Sequence, residues 1–169
     1  PNIVTLRAGL QNGTLYRLTG EAVVTYQRPD GRRNQMYIQD ATAAILVDDL
    51  ATTVTNDFNI GDGVTGLTGT LTAYSNMLQF VPFSDPGLPT STGNTIVPEV
   101  KTLAALTSAD QAKLVYISQV THVSPSGNYT ASVNYSVTDP RGSGQFRTGF
   151  DEADYIGTPI PTAPQNYIA

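Results

Sequence analysis

The chain has 169 residues, of which 40% are hydrophobic, and this is enough to bury a core in one ordinary domain or in two small ones. Charged residues make up only 14%, and the net charge of -5 disfavours a general nucleic-acid binder, which would carry a basic footprint. The absence of cysteine excludes disulfides, thiolate metal sites and thiol nucleophiles.

The first half of the chain has the pattern of five β-strands separated by turns. The first predicted strand, 15–26, is long and rich in β-branched and aromatic residues, and Gly20 interrupts it where a bulge or bend fits. The remaining four predicted strands are 35–39, 44–47, 64–74 and 77–83, and the polar stretch 48–59 connects the third to the fourth. A long, bent first strand and this larger connection are typical of an OB-type Greek-key barrel.

A second copy of the pattern follows a stretch rich in Pro, Gly, Ser and Thr. A shift of 99 residues superposes the two copies, placing Leu15 on Leu114, Leu18 on Ile117, Val24 on Val123, Ile38 on Val137 and Asp40 on Asp139. The second copy has a predicted strand at 145–150, and its fourth strand begins at 166–169. The barrel is therefore predicted to be incomplete.

The predicted fold class is thus all-β, with two consecutive OB-type Greek-key barrels. The first barrel, with an N-terminal arm, occupies 1–83, a linker occupies 84–100, and the second, truncated barrel occupies 101–169. The arm has strand-like alternation at 3–6. Because an incomplete barrel leaves unpaired backbone groups on an edge, we expect the arm or a neighbouring chain to cover that edge.

Several strings of residues carry a family resemblance that covers nearly the whole chain. The strings 15–21, 37–40, 61–69 and 78–82 resemble secreted bacterial OB-like modules of uncharacterised function, and 114–117, 134–139, 146–148 and 154–161 resemble a partner module that follows them. Such modules sit in exported or cell-surface multidomain proteins, beside lamin-tail-like or endonuclease/exonuclease/phosphatase domains. The resemblance implies an extracytoplasmic location (secreted, periplasmic or cell-surface), neighbouring domains of a longer parent chain as partners, and an accessory role.

A cluster of cations and aromatic residues marks the candidate ligand-binding site: Tyr26, Arg28, Arg32, Arg33 and Tyr37. In an OB barrel this segment joins the first two strands and borders the usual groove for oligonucleotides or oligosaccharides. The cations would meet phosphates of a single-stranded nucleic acid, and tyrosine rings would stack on bases or sugars. The alternative is a polar hairpin with solvated arginines, and the matching loop of the second copy, 124–128, has no basic residue.

The sequence predicts no catalytic residue, cofactor or metal site, and no membrane insertion. His122, the sole histidine, falls mid-strand with no nucleophile motif nearby, which favours a structural role. The recurrence of Asp40 and Asp139 is explained by a hairpin aspartate that bonds its own backbone.

We therefore predict a non-enzymatic, ligand-binding or spacer module of an exported bacterial protein, with an oligosaccharide as one candidate ligand. The alternative is a nucleic-acid-binding accessory domain of an extracellular nuclease.

Overall fold

The computed structural model describes residues 1–28 and 33–169. The chain divides into two compact units, of which unit 1 comprises Pro1–Val97 and Thr107–Leu114, and unit 2 comprises Pro98–Leu106 and Val115–Ala169. Both are built on β-sheets, which confirms the predicted all-β class. The predicted division into a barrel at 1–83, a linker at 84–100 and a second barrel at 101–169 stays a prediction.

In its described residues, unit 1 contains one short α-helix and a seven-stranded sheet. Its elements are α1 (Ile3–Arg7), β1 (Leu15–Arg17), β2 (Ala22–Gln27), β3 (Met36–Gln39), β4 (Ala44–Val47), β5 (Gly63–Val64), β6 (Thr68–Tyr74) and β7 (Met77–Ser84). A 3₁₀ turn at Ser108–Asp110 also belongs to this unit. The predicted strands of the first half are confirmed to within a few residues, and the first and fourth are each divided in two.

The sheet of unit 1 has the strand order β1-β6-β7-β4-β3-β2-β5. Every neighbouring pair is antiparallel except β4 and β7, which run parallel with Leu46 beside Gln79. Gly20 lies in the break between β1 and β2, as the sequence predicts. The consecutive strands β1 and β2 pair with another consecutive pair, since β1 lies beside β6 and β2 lies beside β5. These two pairings at opposite ends of the strand order make the sheet curl around its core.

Alternating side chains of β2 and β3 fill that core, with Val24 and Ile38 fully buried, and every residue of β4 is buried. The strands β6 and β7 approach each other closely at Gly69. A Cβ atom there would lie 2.2 Å from the carbonyl oxygen of Val81, so this position of the sheet requires glycine.

The predicted strand character of the N-terminal arm is wrong, because residues 3–7 form the helix α1. Asn2 caps this helix by accepting a hydrogen bond from the Thr5 N–H. The three-residue spacing of Ile3 and Leu6 puts both on one helical face, and both are buried in the core of unit 1. The arm therefore completes this core.

Unit 2 has a five-stranded sheet with the order β11-β10-β9-β12 and with β8 paired in parallel to β9. Its elements are β8 (Glu99–Lys101), a 3₁₀ turn at Leu103–Ala105, β9 (Val115–Ser124), β10 (Asn134–Asp139), β11 (Gly142–Arg147) and β12 (Gln165–Ile168). Two small clusters form its core, one around Val120 and Val137 and the other around Tyr129 and Tyr135.

The two units share the register of one hairpin. In unit 1, Ile38 of β3 pairs with Ile45 of β4. In unit 2, Val137 of β10 pairs with Gly144 of β11, and both residues lie 99 positions later. The predicted shift therefore holds across this hairpin.

The shift fails by one residue on the preceding strand. Val24 pairs with Ile38 in unit 1, but Val137 pairs with His122 and not with Val123 in unit 2. The connection from β9 to β10 is thus one residue longer than that from β2 to β3. Both ladders carry a one-residue irregularity at this point, so that irregularity is common to the two units and the difference lies in the length of the connection.

Candidate functional site

The structure brings Tyr26 and Tyr37 together on the outer face of β2 and β3. The two residues are cross-strand partners, and their ring centroids lie 6.1 Å apart at an interplanar angle of 63°. Both side chains are half-buried, and this edge-to-face geometry is a favourable one for aromatic rings. We call these two residues the tyrosine pair.

Arg28 follows β2 directly and lies within electrostatic reach of Tyr37. Burial raises the pKa of Tyr37, the positive charge of Arg28 lowers it, and the negative charge of Asp48 raises it; the net effect is a raised pKa. The Tyr37 hydroxyl is therefore protonated at neutral pH. Arg32, the third arginine of the predicted cluster, lies outside the described residues.

Arg33 points its guanidinium at a buried carboxylate. Its Nε and Nη2 donate to the two carboxylate oxygens of Asp48 at 2.9 and 2.5 Å, and Gln35 adds a third hydrogen bond to Asp48. The bond from Arg33 lowers the pKa of Asp48 against the opposing effect of burial. Because the charge of Arg33 is balanced by Asp48, this arginine is a poor anchor for phosphate.

The next residue also ties this loop to the connection after β4. The Asn34 side chain donates to the Asp49 carboxylate at 2.9 Å and to the Val54 carbonyl at 3.0 Å. Asp49 is 1% exposed and accepts two further hydrogen bonds from the N–H groups of Thr53 and Val54. These bonds hold the end of the β2 to β3 connection against the segment that follows β4.

A shallow cleft of about 290 Å³ continues the outer face away from the tyrosine pair. Its lining residues are Glu21, Val23, Thr25, Gln39, Asp40, Ala41, Thr95, Ile96 and Val97. Val23 and Gln39 are cross-strand partners, and Gln39 shares a face of β3 with Tyr37 because side chains alternate along a strand. The cleft and the tyrosine pair therefore form one surface, which we call the β2–β3 face.

Gln39 is a polar residue of this surface that lines the cleft and shares a face of β3 with Tyr37. Its Oε1 accepts a hydrogen bond of 3.0 Å from the backbone N–H of Leu114. Its Nε2 has no hydrogen-bond partner among the described residues. Sequence reasoning missed Gln39, although its place two residues after Tyr37 on one predicted strand was a usable signal.

Leu114 ends the segment Thr107–Leu114, which we call the strap and which belongs to unit 1. The Arg7 guanidinium donates to the carbonyls of Ser108 and Gln111, at 2.8 and 3.0 Å, and also to that of Ala44. The Gln111 side chain bonds to the backbone at Asn76 and Leu78. The strap is thus fastened at both ends of its length.

Asp40 closes the cleft and is fully engaged with backbone donors. Its Oδ1 accepts from the N–H groups of Thr42 and Ala43, and its Oδ2 accepts from the N–H of Ile3 at the start of α1. Burial raises the pKa of Asp40, but the hydrogen bonds outweigh it and hold the pKa below its usual range. The predicted role of a hairpin aspartate that bonds its own backbone is confirmed.

Asp139 repeats this arrangement in unit 2. Its Oδ1 accepts from the Arg141 N–H at 2.8 Å, and its Oδ2 accepts from the Leu103 N–H at 2.7 Å. Leu103 begins a 3₁₀ turn, as Ile3 begins α1. Each of the two hairpin aspartates therefore anchors the start of a short helical segment in its own unit.

His122 lies within β9, as predicted, at the centre of a polar and aromatic cluster in unit 2. Its Nε2 contacts the hydroxyls of Tyr129, at 2.8 Å, and of Tyr167, and the two hydroxyls lie 2.8 Å apart. The rings of Tyr135 and Phe146 pack around the imidazole. Burial lowers the pKa of His122, and its Nδ1 is buried with no partner among the described residues.

Within residues 1–28 and 33–169, no group of three or more His, Asp or Glu side chains is arranged to hold a metal ion. No helix in the same residues is long and apolar enough to cross a membrane. No protein-family model, curated protein or solved structure matches this chain. The resemblance to secreted OB-like modules therefore stays a prediction.

Proposed function

We propose that this chain is a non-catalytic accessory module of an exported bacterial protein and that it binds an oligosaccharide on the β2–β3 face. The observation that carries the proposal is the continuity of the tyrosine pair with the cleft on one surface. Tyrosine rings pack on the apolar faces of sugar rings, and amide, hydroxyl and carboxylate groups beside them bond to sugar hydroxyls.

The strand pairing of unit 1 supports an OB-type barrel. When β1 with β2, and β5 with β6, are each counted as one bent strand, five strands remain in a Greek-key order. In such a barrel β3 and β4 are the second and third strands, whose face binds oligosaccharides and oligonucleotides. Tyr37 and Gln39 lie on β3, so the proposed site includes part of that face.

Unit 2 is proposed as a second, incomplete OB-type module with a spacer role. The shared hairpin register and the matching contacts of Asp139 support this relationship. On β10, the positions 99 residues after Tyr37 and Gln39 are Ser136 and Thr138. Without an aromatic platform, the corresponding face of unit 2 is a poor sugar site.

A nucleic-acid-binding accessory domain of an extracellular nuclease is the second candidate. The observation in its favour is the positive charge of Arg28 beside Tyr37. Against it, Arg33 is paired with Asp48, and the cleft is lined by Glu21 and Asp40 with no basic residue among the described residues. A neutral ligand therefore fits the electrostatics of this face better than a polyanion.

The test is a glycan array with the wild-type chain and the variant Tyr37→Ala. We expect the variant to lose about tenfold in affinity, because removing the ring removes the stacking surface. The variant Phe83→Ala is the matched control, since Phe83 is 69% exposed on β7, away from the β2–β3 face, and its loss should leave binding unchanged.

Two results would contradict the proposal. Equal glycan binding by Tyr37→Ala and wild type would move the site elsewhere. Absence of any glycan hit, together with binding of labelled single-stranded DNA that weakens steeply with salt, would favour the second candidate.

A further inference from the structure

The amide of Gln39 gives the cleft hydrogen-bond donors, and carboxylates give it negative charge. Gln39 contributes an Nε2 group with two N–H donors and no partner among the described residues. Glu21 and Asp40 contribute carboxylates, and no basic residue among the described residues lines the cleft. A ligand here must therefore accept hydrogen bonds without carrying much negative charge.

The amide of Gln39 has a defined orientation. Its Oε1 is taken by the Leu114 N–H, so the donor end of the amide is the end left for a ligand. Leu114 in turn belongs to the strap, which Arg7 and Gln111 fasten to unit 1. A donor held by fixed backbone loses little conformational freedom when a ligand binds.

The two carboxylates have different roles. Asp40 is saturated by backbone N–H groups, and its pKa is lowered, so it supplies negative charge without offering a vacant oxygen. Glu21 is exposed and accepts a hydrogen bond from the Thr90 hydroxyl at 2.6 Å through one oxygen, Oε2. Its other oxygen is available to a ligand hydroxyl.

We infer that Gln39 is the residue that determines specificity at the proposed site, and that it selects neutral oligosaccharides through its Nε2 donors. Glu21 and Asp40 disfavour glycans that carry uronic acid, sulfate or phosphate groups, since like charges in a shared cleft repel. This inference rests on the proposed function and narrows it to one class of glycan.

The test uses an array of neutral oligohexoses and oligouronates of matched length, probed with the full chain. Gln39→Glu keeps an oxygen for the Leu114 N–H and replaces the two donors by a negative oxygen. We expect it to lose neutral oligohexose binding by about tenfold or more. Gln145→Glu makes the same chemical change at an exposed position of β11 and should bind as wild type does.

A second variant tests the effect of the negative charge in the cleft on glycan selectivity. Glu21→Gln keeps an oxygen for the Thr90 hydroxyl and removes one negative charge from the cleft. We expect it to raise the affinity for oligouronates relative to neutral oligohexoses. Amide hydrogen exchange across β2 and β3 in both variants verifies that the fold is kept.

The outcomes separate this inference from the proposed function. Neutral glycans that bind to wild type and Gln39→Glu equally, in a manner that Tyr37→Ala abolishes, would overturn the inference and leave the proposed function standing. Preferential binding of oligouronates by wild type would do the same. Absence of all glycan binding would overturn both.

Discussion

His122 is held as a neutral imidazole between two tyrosine hydroxyls in unit 2, and burial lowers its pKa. As the pH falls below about 6.5, the ordinary histidine value, the unfolded chain takes up a proton that the folded chain resists. The contribution of neutral His122 to the unfolding free energy of unit 2 should therefore be fully present above that pH. It should decrease as the pH falls from about 6.5 towards the lowered pKa of the folded state.

Amide hydrogen exchange at pH 7 and pH 5, corrected for intrinsic rates, measures this effect. Protection of β10 in unit 2 should fall at pH 5 relative to that of β3 in unit 1. His122→Phe keeps an aromatic ring and should remove the difference. Equal loss of protection in the two strands of wild type would refute the expected role of this histidine.

The candidate site shows what residue types alone could predict. Tyr26 and Tyr37 were predicted as a stacking surface because aromatic residues flank a hairpin loop, and the structure pairs them. Arg33 belongs to the same cluster, yet it lies in an ion pair with Asp48. An acid directly after the buried strand β4 was the available signal, but the choice among nearby cations depends on loop geometry.

At the level of elements, the hairpin aspartates join a turn to a distant segment. Asp40 binds the turn after β3 and also the first N–H of α1. Replacing it with alanine leaves those donors without an acceptor, so Asp40→Ala should lower the unfolding free energy of unit 1 by about 1–2 kcal/mol.

Urea unfolding measures the predicted decrease in unfolding free energy, and amide hydrogen exchange at Ile3, Thr42 and Ala43 locates it. Asp139→Ala is the matched control, because it removes the same kind of contact in unit 2 and should leave those three amides protected. Protection of Ile3 that survives in Asp40→Ala would mean that the core contacts of α1 alone hold the helix.

The sequence pattern predicted the strands of unit 1 closely because turn residues and β-branched runs are local signals. It failed at α1, where so short a stretch of largely apolar residues was taken for a strand although the three-residue spacing of Ile3 and Leu6 fits a helical face. Burial of both residues in the core decides in favour of the helix, and that contact is not local. The one-residue slip between β9 and β10 was missed as well, because the strand pattern alone does not fix how many residues connect the paired positions.

For the whole molecule, the strap is the part of unit 1 that a linear division of the chain would omit. A fragment of residues 1–97 lacks the carbonyl partners of Arg7 at Ser108 and Gln111, whereas a fragment of residues 1–114 retains them. We expect the shorter fragment to be less stable by about 1–3 kcal/mol, the value of a few hydrogen bonds.

Denaturant unfolding of both fragments measures the difference. Arg7→Ala in the longer fragment should bring its midpoint close to that of the shorter one. Identical midpoints for the two unsubstituted fragments would show that the strap adds nothing to the stability of unit 1.

The order of segments along the chain has a consequence for any attempt to recombine this protein. Pro98–Leu106 belongs to unit 2 but precedes Thr107–Leu114, which belongs to unit 1. No single junction in the coding sequence therefore yields two pieces that each encode one whole unit. Grafting one unit alone onto a foreign protein requires shortening the segment that connects its parts or rearranging the gene. Transferring both units together needs only one cut at each end of the coding sequence.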